Sequence, residues 1–135
     1  MSTESTPDPV TAQTLRQGDQ AARALALLRI GAGTGAWLAP NLAARLMGLQ
    51  GGPSVAFVLR LFGVRDLIMG LGYLSASPDA RDNWVRMGIV ADAGDAVGSL
   101  AAVRAGGVPA RTGIPMMLTA IGAVTVATTA LQRPR

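Results

Sequence analysis

Residues 54–76 read SVAFVLRLFGVRDLIMGLGYLSA. Apart from Arg60, Arg65 and Asp66, the stretch is apolar, aromatic or small. Its length matches the ~20 residues a helix needs to cross ~30 Å of hydrocarbon at 1.5 Å per residue. Arg65 and Asp66 fall near its middle, where an ionised side chain costs about 2.5–3.5 kcal/mol on the insertion scale. The stretch therefore belongs in a membrane only if other parts of the chain offset its charges. That condition organises the reading of everything around it.

Three further segments have the same character. Residues 20–39, QAARALALLRIGAGTGAWLA, carry Arg29 near the middle and stop at Pro40. Residues 84–104, WVRMGIVADAGDAVGSLAAVR, carry Asp92 and Asp95, and would not insert without a partner that compensates both. Residues 113–131, GIPMMLTAIGAVTVATTAL, carry no charge, and a soluble helix is seldom uncharged all the way round for that length. Together they predict an all-α, four-transmembrane-helix bundle occupying residues 20–132. The connectors, 40–53, 77–83 and 105–112, hold the Gly-Gly and Pro-Asp punctuation expected of turns. In the first connector, Leu42, Leu46 and Leu49 recur at helical spacing beside Arg45. This pattern suits a short interfacial helix, and equally an ordinary connecting one. Residues 1–19 are polar, with Pro7 and Pro9 and no basic-then-apolar pattern of a signal peptide. They predict a disordered tail, with Asp19 placed to cap the first helix.

Composition agrees. Of 135 residues, 50% are hydrophobic but only 4% aromatic, and 15% are charged against about 25% in ordinary soluble domains. With no cysteine, disulfides and thiolate chemistry are excluded; with no histidine, the commonest general base and metal ligand is missing. Nothing implies a metal or a cofactor. The net charge of +4 comes from twelve arginines with no lysine, a usage that fits a GC-rich bacterial genome. These arginines are scattered and lack interleaved aromatics, which argues against nucleic acid as a partner. Counted outside the spans, Arg16, Arg23, Arg81, Arg133 and Arg135, with Arg86 nearby, outweigh Arg45, Arg104 and Arg111. This difference favours both termini on the cytoplasmic side of the inner membrane.

The candidate site is the set of charges inside the spans: Arg29, Arg60, Arg65, Asp66, Asp92 and Asp95. Folding the second and third segments into a hairpin about residues 79–80 brings Asp66 level with Ala93 and Arg65 level with Gly94. All but Arg60 then lie in one slab near mid-membrane. Arg60 is roughly 7.5 Å from Arg65 along the axis. Asp92 and Asp95 share a helix face, whereas Arg65 and Asp66 point ~100° apart and can address different neighbours. The first five charges sum to −1, and Arg60 cancels the remainder. Buried charges persist in lipid when paired, and the planar guanidinium fork can bridge two carboxylates. The set reads either as a structural clasp or as the lining of a polar cavity. Gly31-x-x-x-Gly35 and Gly94-x-x-x-Gly98 predict close helix approach within the chain, or else a dimer face. Thr119, Thr125, Thr128 and Thr129 are expected to bond back to their own helix. Trp37, Tyr73 and Trp84, near segment ends, suit an interfacial aromatic belt.

The run Arg60-Leu61-Phe62-Gly63-Val64-Arg65-Asp66-Leu67-Ile68-Met69-Gly70 resembles the Arg-x-Phe-Gly-x-Arg-Asp-Leu-x-x-Gly pattern of a family of small bacterial four-helix membrane proteins of unknown function. Arg29 followed by Pro40, and Asp92 or Asp95 on the third helix, match further features of that family. The likeness extends over about 20–131, and the architecture is distantly similar to the DoxX-like group. The resemblance implies a fold and a location but no reaction. Three functions are compatible with these residues. The first is a small polytopic membrane protein with a binding, accessory or structural role. Its partners would be the lipid bilayer and a second copy or another membrane protein. The alternative is a proton- or ion-coupled transporter acting as an oligomer, with Asp92 and Asp95 as the titrating pair. A membrane enzyme using Asp66, Asp92, Asp95 and Arg65 is third, because no nucleophile-and-base signature is present. A soluble four-helix protein is the competing architecture.

Overall fold

The computed structural model describes residues 8–131. Among them the chain forms five α-helices and no strand: α1 Pro9–Leu38, α2 Pro40–Leu46, α3 Pro53–Ser75, α4 Pro78–Arg104 and α5 Ala110–Leu131. Proline sets four of the starts. Pro9, Pro40, Pro53 and Pro78 each stand in the first turn, where the missing N–H costs nothing and the fixed φ is already helical. Glycine helps to end two of the helices. Gly48 and Gly106, at φ 71° and 70°, adopt the left-handed conformation that lets the chain turn back on the last carbonyls of α2 and α4.

The helix starts correct two sequence-based boundaries. α1 begins at Pro9, so residues 9–19 are helical and not a disordered tail, and Asp19 lies inside α1 instead of capping it. The stretch 1–7 lies outside the described residues. α4 begins at Pro78, so most of the expected connector 77–83 is its first turns. In both places a polar composition hides a proline start signal.

α1 runs antiparallel to α3, as the facing pairs Gly33 with Gly63 and Ala26 with Gly70 require. α4 runs antiparallel to α5. These two pairs make the most extensive contacts; α1 meets α5 less, and α3 meets α4 least of the four. Small residues make this approach possible. A Cβ built on Gly33 would lie 2.6 Å from the Gly63 carbonyl oxygen, and one on Gly63 2.7 Å from that of Gly33. Gly70 sits equally close to the Ala26 carbonyl, and Gly72 lies under the Trp84 ring. The Gly31/Gly35 and Gly94/Gly98 pairs do something else. All four face outward with open space where a Cβ would go, so they do not bring helices of this chain together.

The interior is built of alanine and glycine around two clusters. One joins Ala22, Ala26, Tyr73, Val85, Ala127 and Ala130; the other joins Ala36, Ala44 and Leu59. No large side chain is fully buried among the described residues. Many large apolar side chains are outside: Leu28 is 64% exposed, Val90 73% and Leu118 58%. Among the described residues one helix, α5, is long and apolar enough to cross a membrane, and only 17% of its apolar stretch is buried by the rest of the protein. α1, α3 and α4 do not qualify.

Candidate functional site: a chain of ion pairs

The same alanine- and glycine-rich interior admits charge. Arg29 is 7% exposed and Asp92 5%. The geometry follows from helical phase. Arg29 lies on the α1 face that also holds Ala22, Ala26, Gly33 and Ala36, so its guanidinium enters the core. Gly88 on α4 leaves room for it: a Cβ there would lie 3.2 Å from Arg29 Nη2. Arg29 Nη2 donates to Asp92 Oδ2 at 2.5 Å, and Nη1 donates to Asp66 Oδ1 at 3.4 Å. One guanidinium thus ties α1 to α4 and to α3.

Arg65 repeats the arrangement nearer the surface. Its Nη1 and Nη2 donate to Asp95 Oδ1 and Oδ2 at 2.9 and 2.7 Å, the parallel fork geometry of a strong pair. Nη2 also donates to Asp66 Oδ1 at 3.1 Å. The Phe62 ring lies 4.8 Å from the Arg65 guanidinium carbon and covers part of it. The result is one alternating sequence, Asp92–Arg29–Asp66–Arg65–Asp95, crossing α4, α1, α3 and α4 again. Asp66 is the shared member. The Arg29–Asp92 end is deep, whereas the Arg65–Asp95 end is only partly covered. With two guanidiniums and three carboxylates, the chain carries one surplus negative charge.

Five of the six expected residues are therefore brought together. The hairpin arithmetic places Arg65 level with Gly94, one residue from its actual partner Asp95. The ~100° divergence of Arg65 and Asp66 is used as read from the sequence, one residue addressing α4 and the other α1. Arg60 does not join. It is exposed on α3, and among the described residues it forms no ion pair, so it does not cancel the surplus.

Other readings divide. Thr119 and Thr125 donate to the carbonyls four residues back on α5, and Thr128 and Thr129 to those three back, as expected. Tyr73 is turned inward instead of forming part of an outer belt, with Arg81 stacked 5.7 Å from its ring centre. Thr112 escapes a sequence reading. It is buried and donates at 3.2 Å to the Gly48 carbonyl, pinning the start of α5 to the turn after α2. A partner 64 residues away leaves no local trace.

Among the described residues no group of three or more acidic or other metal-ligating side chains is arranged to hold a metal ion. No family model, curated protein or solved structure matches the chain.

Proposed function

We propose that this chain is a small multi-pass integral membrane protein, its four long helices forming a bundle that spans the bilayer. The Arg–Asp chain would serve there as a clasp near mid-membrane. The observation that carries the reading is the inverted distribution of side chains. Many large apolar side chains, Leu28, Val90 and Phe57 among them, face outward, while Arg29 and Asp92 are buried in an interior rich in alanine and glycine. In water that arrangement forfeits the burial of apolar surface that drives folding. In lipid the outward apolar faces are solvated, small residues let helices approach, and charges are tolerated when enclosed and paired. The bland face of α5 and the exposed leucines of α2 fit a bilayer core and its interface respectively. The likeness of residues 60–70 to a family of bacterial four-helix membrane proteins points the same way, as does the arginine bias toward cytoplasmic termini.

The role proposed is structural or accessory, with lipid, and a second copy or another membrane protein, as its partners. Alkaline extraction of membranes tests the location: the chain is expected to stay in the pellet, and release into the supernatant would refute the reading. Arg65→Gln tests the clasp, and reduced membrane abundance is expected. The transport alternative draws on the surplus carboxylate and the partly open Asp95 end. Liposome flux that falls in Asp92→Asn and Asp95→Asn would favour it over a clasp.

A further inference from the structure

Beside the ion pairs, between α1, α3, α4 and α5, lies a small cavity of about 30 Å³. Its wall is mostly apolar, with Ala26, Met69, Val85 and Ala127 among the lining residues, but Arg29 and Tyr73 also line it. Tyr73 is 4% exposed, and its hydroxyl is buried without a hydrogen-bond partner among the described residues. Buried hydroxyls are rarely left so, because the group has given up water and received nothing in return. The volume is that of one water-sized molecule.

Charge selects the occupant. Arg29 already serves two carboxylates, Asp92 and Asp66, which leaves no uncompensated positive charge to hold a chloride ion of similar size. A cation would meet the Arg29 guanidinium. A neutral molecule that both donates and accepts suits a mostly apolar wall whose polar members are Arg29 and Tyr73. We propose that the cavity is a hydration site, holding one water molecule that joins the Tyr73 hydroxyl to Arg29. The hydrogen-bonded chain then runs from Asp95 through Arg65, Asp66 and Arg29 to Tyr73, close to the end of α3. This inference concerns the interior alone and stands apart from the membrane reading.

Tyr73 is the only tyrosine in the chain, so the Raman Fermi doublet of the phenol reports on this hydroxyl without interference. For the full chain in detergent, the doublet of a hydrogen-bonded hydroxyl is expected. In Ala127→Val, whose added methyl groups fill the cavity, the doublet should become that of an unbonded one. Tyr73→Phe should lower the folded-to-unfolded ratio about threefold to tenfold. An unbonded doublet in the wild type would overturn the proposal, as would a doublet unchanged in Ala127→Val. So would a Tyr73→Phe ratio that holds or rises, the result of deleting an orphaned hydroxyl from a dry cavity.

Discussion

Arg29 serves two carboxylates on two helices from one side chain, and this fixes what can replace it. Arg29→Gln leaves Asp92 buried without a counter-charge. Removing one partner of a buried pair costs about 3–5 kcal/mol, so thermal unfolding in detergent should show a large loss. Arg29→Lys keeps the charge but not the fork, and its midpoint should fall between the two. The other end of the chain is predicted to matter less. Asp95 and Arg65 are partly open to the surroundings, so Asp95→Asn should destabilise less than Asp92→Asn in the same measurement. Arg60→Gln is the internal control. The side chain is exposed and unpaired among the described residues, and the variant should unfold like the wild type.

At the scale of the helices, glycines divide into those that set an interface and those that do not. Gly63→Ala would push a methyl against the Gly33 carbonyl, where the obstacle is backbone and cannot swing aside. Overpacking of that kind costs about 1–3 kcal/mol. Gly94→Ala and Gly98→Ala meet nothing among the described residues, so their unfolding midpoints should hold or rise. The sequence did not separate these two classes. Gly31/Gly35 and Gly94/Gly98 have the small-xxx-small spacing, yet the close approaches use Gly33, Gly63 and Gly70, which differ only in helical phase. Phase is legible when charges mark it, as Arg29, Asp66 and Asp92 do, but not among residues that are nearly all alanine and glycine. Helix starts follow the same logic. Pro9 and Pro78 carry the start signal of α1 and α4, but the polar residues beside them read as tail and turn. For Tyr73, position along the helix gives depth but not the direction the ring faces, which is inward.

For the molecule as a whole, the all-α character and the meeting of five charges were readable from segment length, hairpin arithmetic and the need of each charge for a partner. The crossing order was not, because Ala- and Gly-rich faces fit many neighbours; the contact of Thr112 with the turn after α2 is one product of it. If the chain spans the bilayer as proposed, the outward apolar faces of its helices are bathed in lipid. Because the chain has no cysteine, single cysteines can be placed at Leu28, Val90 and Leu118 without background and spin-labelled in reconstituted vesicles. Collisions with oxygen and with a water-soluble nickel chelate then report what surrounds each label. All three labels are expected to be reached readily by oxygen and hardly by the chelate. Free access of the chelate to all three would contradict the proposed spanning of the bilayer.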